Sequence, residues 1–212
     1  MEALLDAHGR TFADEAGIRL RDTPQPLYQV LVLSHLLSAR IRASVAVAAA
    51  RALFAHGMRT PRRMLESTWQ QRVDALGEGG YRRYDERTAT QLADAAGLLL
   101  DAYGGDLRRL RRSADGDLDA LRTGLRRTPG IGPTGADIFL REAQAVWPET
   151  VPYLDKKALQ GAERLGLPAS PAKLTQIASR TERRHNGPAV LAAALVRAAL
   201  DKSVVADVQA AG

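Results

Sequence analysis

The residues that could do chemistry gather between Leu125 and Asp155, in LRRTPGIGPTGADIFLREAQAVWPETVPYLD. At the centre, Pro129-Gly130-Ile131-Gly132-Pro133 places two glycines around one aliphatic residue. A turn of this kind lets an anion reach the backbone, because no Cβ blocks the approach. When a helix follows directly, the N–H groups of its first turn point at the same anion. Arg126 and Arg127 add charge just ahead of the turn. A Gly-x-Gly turn is equally what an ordinary helix–helix connection uses. At the end of the stretch stands Asp155, followed by Lys156 and Lys157. An Asp directly before a helix is an N-cap. The same position favours its anion, and a fixed anion can offset positive charge on a reacting sugar or orient an attacking water. The two roles are compatible. The two lysines read as surface cations, as phosphate contacts, or as an amine nucleophile.

The elements that must hold these residues are helices. Leu118, Leu121 and Leu125 repeat at helical spacing before the turn, and Ala136, Phe139, Leu140 and Ala143 after it. Residues 1–20 read as one helix, and Asp22 to Pro26 as a breaker. Leu27 to about Leu37 reads as a buried helix, Ser38 to Arg42 as a break, and Ala43 to His56 as an Ala-rich helix stopped at Gly57. Thr60-Pro61 opens a short helix. Ser67 to Leu76 is expected as another, closed by Gly77. Asp85 to Tyr103 is the longest of the middle region, and Leu107 to Arg112 is short and very basic. Asp117 is expected to cap the first hairpin helix. Helices are further expected over Lys156 to Leu165, after Ser170-Pro171, and over Ala189 to about Leu200 as the last. No alternating apolar run is long enough for a strand, so the expected fold class is all-α.

The chain has 212 residues, enough for one large domain or two small lobes. Net charge is +6 and the isoelectric point about 10.0, which favours a polyanionic partner. Lysine occurs only at positions 156, 157, 173 and 202, so arginine, with its bidentate fork for phosphate, carries the positive charge. The absence of cysteine excludes disulfides, thiolate zinc sites and iron–sulfur clusters, and the four histidines lack metal-ligand spacing. The most apolar stretch, Val30 to Phe54, is interrupted by His35, Arg40, Arg42 and Arg51 and reads as buried helices, not a membrane span. The N-terminus lacks a basic region followed by an apolar run, so a cytoplasmic, nucleoid-associated protein is expected.

LRRTPGIGPTGADIFL, with Asp155 falling 23 residues after Gly132, resembles the helix–hairpin–helix superfamily of base-excision DNA glycosylases. Endonuclease III and the alkylpurine DNA glycosylases belong to it. Leu36-Leu37-Ser38-Ala39-Arg40 resembles the helix segment that faces DNA in endonuclease III, and Gly80-Tyr81-Arg82 its next hairpin region. The likeness spans roughly residues 25 to 200. It implies two helical lobes flanking a cleft. Residues 26–142 would form a six-helix barrel-like lobe ending in the hairpin (about 117–142). Residues 1–25 with 143–212 would form a second lobe, with Asp155 at the mouth of the cleft where a flipped nucleotide enters.

That resemblance makes Asp155 the catalytic residue. It assigns DNA contacts to Gly130, Ile131, Gly132, Thr134, Gly135, Arg126, Arg127, Lys156 and Lys157, and makes Arg40 the residue that fills the gap left by the extruded nucleotide. Tyr28, His35 and Tyr153 are candidates for the base pocket, while Trp69 and Trp147 are expected in the core. Bifunctional members carry a lysine where this chain has Thr134, so the resemblance implies a monofunctional glycosylase acting on a damaged base in double-stranded DNA. The hairpin looks nearest the alkylpurine branch. Two alternatives stand beside it: a non-catalytic protein that recognises damaged or distorted DNA, and a glycosylase/lyase using Lys156 or Lys157. No cofactor is expected. Hairpin carbonyls would hold a monovalent cation or a water. A monomer without membrane attachment is expected. Asn at position 155 is expected to keep the helix cap and leave stability little changed.

Overall fold

The computed structural model describes residues 1–180 and 187–211. Over these the chain is all-α, with no strand. α1 (Glu2–His8) and α2 (Phe12–Glu15) open it; Gly9 ends α1, so the first twenty residues form two short helices instead of one. Contacts divide the chain into two compact units, Ala13–Phe139 and Met1–Phe12 with Leu140–Gly212.

The larger unit holds α3 (Pro24–Ser38), α4 (Ala43–Ala55), α5 (Pro61–Glu66), α6 (Trp69–Glu78), α7 (Asp85–Tyr103), α8 (Leu107–Ser113), α9 (Leu118–Arg126) and the start of α10 (Pro133–Ala143). α3 is its central helix and buries an unbroken run from Leu27 to Leu36. Leu27, Val30, Leu33 and Leu36 are fully buried, and each contributes about 1.5–3 kcal/mol. Pro24 falls in the first turn of α3, where its missing N–H is not needed, so the expected breaker is the helix start. Residues 13–25 cluster with this unit, not with the C-terminal residues as expected. Asp22 accepts from Arg111 Nη1 at 2.9 Å, and its carbonyl accepts from Arg108. Two arginines of the basic run of α8 are thus engaged; Arg108 also pairs with Asp106 at 2.8 Å.

α6 starts two residues later than expected. Thr68 and Gln71 form a capping box that sets Trp69 at the first helical position. Gly77 lies inside that helix, and Trp69 is 42% exposed, not core. Arg72, nearly buried, donates to the carbonyls of Ala89, Met64 and Ser67, tying α6 to α5 and α7.

The smaller unit contains the end of α10, a 3-10 turn (Pro148–Thr150), α11 (Lys156–Arg164), α12 (Pro171–Ala178), α13 (Pro188–Leu200) and α14 (Lys202–Ala210). α13 is apolar on nearly every face and packs most heavily on α11. A Cβ on Gly161 of α11 would meet the Leu195 carbonyl, so only glycine permits this crossing. Arg164 donates to Ala199 O at 2.6 Å, satisfying a carbonyl at the end of α13. Trp147 is fully buried as expected. α14 follows the expected last helix, because Asp201 ends α13 and caps a new start. No helix among the described residues is long and apolar enough to cross a membrane.

Candidate nucleic-acid interface

The hairpin is held from both sides. Asp117 caps α9 by accepting from the Asp119 and Ala120 N–H groups. Arg122 on α9 donates to Asp137 on α10 at 2.8 Å, stapling the two helices. Between them, Thr128 N donates to Leu125 O and Ile131 N to Thr128 O; Gly132 O accepts from Ala136 N as α10 begins. These three carbonyls are already engaged inside the turn.

The four glycine-turn residues have separate jobs. Gly130 adopts φ +80°, and a Cβ there would run into the His35 ring. It is glycine for reasons internal to the fold. Ile131 is buried, and a Cβ on Gly135 would touch its side chain at 3.4 Å, so both serve packing. Gly132 differs: its φ is not positive and nothing lies within 4 Å of a Cβ. No neighbour among the described residues requires glycine at that exposed position, which leaves the backbone open to a partner.

A groove of about 680 Å³ runs beside the turn. Arg40 from the connection just after α3, Arg87 from α7, and Arg126 and Arg127 from the hairpin line it, with no carboxylate among the lining residues. Tyr84, His35, Gln91 and the Thr128–Gly132 backbone complete its surface. The structure thus brings together seven groups singled out in the sequence: Arg40, Arg126, Arg127, Gly130, Ile131, Gly132 and His35. Arg87 and Gln91 were not among them. Tyr84, Arg87, Thr88 and Gln91 stand at i, i+3, i+4 and i+7, and that helical face was the readable signal.

His35 is 5% exposed, lies under Gly130, and is 3.2 Å from Gln91 Oε1. Burial, with the nearby positive charge of Arg87 against the Gln91 hydrogen bond, lowers its pKa to about 4. A neutral imidazole therefore supports the turn at neutral pH. Tyr28 is fully buried, and burial raises its pKa; it belongs to the core beneath the hairpin, not to an open base pocket. Tyr81 is also buried and bonds Thr88, leaving half-buried Tyr84, with Arg83 5.1 Å from its ring centroid, as the aromatic side chain nearest the groove surface.

Asp155 belongs to the smaller unit. It caps α11 by accepting from Ala158 N through Oδ1 at 3.1 Å. The same Oδ1 lies 3.6 Å from Arg141 Nη1, a charge–charge contact without a hydrogen bond, and both side chains are about nine-tenths buried. Cap and cation address one oxygen, so Oδ2 is the oxygen left for other chemistry. Arg141, in the last turn of α10, was not singled out from sequence; its distance from Asp155 along the chain hides the pairing. The approach to Asp155 is fixed by Gln144, which donates to Tyr153 O at 3.0 Å and accepts from Tyr153 N at 2.8 Å. Tyr153 is 8% exposed and serves this loop; its burial gives a base little to stack on. Lys156 and Lys157 are exposed, and Lys157 bonds Gln160. No cluster of His, Asp or Glu among the described residues could hold a metal ion.

Fold and site together define an all-α protein carrying a helix–hairpin–helix beside an arginine-lined groove. No family model and no curated protein matches the chain. Among solved structures it is similar to an endonuclease III in a trapped covalent complex with DNA, at 17% identity and a TM-score of 0.47, over 91% of this chain and 81% of that one.

Proposed function

We propose that this protein is a monofunctional DNA glycosylase that removes a damaged base from double-stranded DNA, working at the chromosome as a monomer. The observation that carries the DNA-binding half is the hairpin groove: four arginines, no carboxylate, and an exposed Gly132 with no internal reason to be glycine. Guanidinium groups and the open backbone of the turn suit adjacent phosphates. In this reading Arg40 enters the gap left by an extruded nucleotide, and Asp155 Oδ2 faces the sugar or the attacking water. The carboxylate offsets positive charge that builds as the glycosidic bond breaks. Thr134 offers no amine, so the abasic product keeps its backbone. The reaction requires no cofactor.

The test is a panel of duplexes, each carrying one damaged base, alkylated purines included, scored for abasic product. Excision of any base by the parent protein, and its loss in a folded Asp155→Asn/Arg141→Gln double variant that still binds duplex, supports the reading. The buried contact with Arg141 favours a second one, in which Asp155 only holds the fold and the protein binds distorted DNA without cutting. Tight, damage-dependent binding with no product across the panel would establish that instead. Borohydride trapping of a covalent complex would replace both with a lyase acting through Lys156 or Lys157.

A further inference from the structure

The larger unit carries a second basic groove, of about 420 Å³, at the opposite end of α3 from the hairpin. Arg19, Arg51 and Arg59 line it, with Gln25 and Gln29, over a floor that includes Phe54, and no carboxylate lines it. In a chain with 24 acidic residues, three arginines meeting without one is informative. Arg19 and Arg51 are exposed and make no ion pair or hydrogen bond among the described residues. Arg59 is pre-oriented: its Nε donates to Phe54 O at 2.7 Å, leaving the two terminal amines of the fork for a ligand. Gln29 is only 8% exposed, yet its amide makes no hydrogen bond among the described residues and lines the groove. The amide atoms still reach solvent through the groove, so they are open to a ligand.

This groove is separate from the one beside the hairpin. Gln29 and Ser38, which line the two, lie nine residues apart on α3. That is about half a turn around the helix and roughly 14 Å along it. The two grooves share no lining residue.

We propose that the second groove binds a phosphate-bearing ligand of nucleotide size, either a free nucleotide or one unit of a single strand. Arg51 and the Arg59 fork would take the phosphate, and the Gln25 and Gln29 amides would take sugar hydroxyls or a base edge. The proposal does not depend on the glycosylase reading. To test it, adenosine monophosphate and a 5′-phosphorylated oligothymidylate are titrated into the full chain by calorimetry at low salt. The chain is used as parent, as the Arg19→Gln/Arg51→Gln double variant, and as Gly132→Ala. Binding of at least one probe is expected, about tenfold weaker in the double variant, unchanged in Gly132→Ala, and not displaced by saturating undamaged duplex. Binding of both probes points to a free nucleotide, and of the oligonucleotide alone to a single strand. Arg19 and Arg51 have no partners among the described residues, so melting of the double variant should match the parent. Absence of binding by both probes overturns the proposal. So does equal binding by parent and double variant, or loss in Gly132→Ala, which would move the ligand to the hairpin groove.

Discussion

Gly130 and Gly132 look interchangeable as a sequence motif, and the structure separates them into a folding residue and a binding residue. Alanine at 130 must hold φ near +80° and push its Cβ into the His35 ring. The left-handed backbone costs about 1–2 kcal/mol, and overpacking adds about 1–3 kcal/mol. Gly130→Ala should therefore lose roughly 2–5 kcal/mol in urea unfolding, with DNA affinity falling only as folded protein is lost. Alanine at 132 meets nothing and needs no unusual φ, so stability should stay within about 0.5 kcal/mol of the parent. If a phosphate approaches the open backbone at this residue, the added methyl group obstructs it, and duplex affinity should drop about tenfold, or ~1.4 kcal/mol. Fluorescence anisotropy with a labelled undamaged duplex reads the second quantity in protein shown to be folded by the first. Unchanged affinity in folded Gly132→Ala would remove the turn from the DNA-binding argument. Unchanged stability in Gly130→Ala would mean that the His35 ring does not hold the turn as described.

Four further outcomes follow from the same geometry. Asp155→Asn keeps the cap but leaves Arg141 as a buried cation without its counter-charge, which costs about 3–5 kcal/mol; pairing it with Arg141→Gln should recover part of that loss in urea unfolding, and no loss in the single variant would show the ion pair to be idle. If Asp155 acts on the sugar, excision by the double variant should fall about 10²-fold or more while duplex affinity persists, and retained activity would place the centre elsewhere. Duplex affinity should fall steeply with salt, and Arg126→Gln/Arg127→Gln should reduce the slope of log K against log salt by about 2 if each neutralises one phosphate; an unchanged slope would exclude them from the interface. Burial holds His35 at about 4, below the roughly 6.5 of an unfolded histidine. Between these values the unfolded chain binds the extra proton, so stability should fall as pH drops from about 6.5 to 4, by up to about 3 kcal/mol. In a His35→Gln variant that share of the pH dependence should vanish, and identical pH slopes would refute a neutral buried imidazole.

Local signals in the chain were strong enough to define the helical class and most helix ends. Asp117 and Asp155 cap the helices that their positions announce, and Pro61, Pro171 and Pro188 each fall in a first turn. These features depend on a few neighbouring residues, and periodicity and capping chemistry carry that information. The start of α6 was misplaced because two capping signals compete within Ser67-Thr68, and the reciprocal Thr68–Gln71 bonds decide between them. The site depends on longer-range pairing. Nothing near Gly130 in sequence announces that it rests on His35, nothing near Asp155 announces Arg141, and Arg87 reaches the hairpin groove only because α7 runs past it. The sequence by itself determined which residues could bind phosphate or act as an anion, since those properties belong to the side chains. Tertiary structure decided which glycine is open, which arginines share a groove and which oxygen of Asp155 is free, because each of these is set by neighbours distant along the chain.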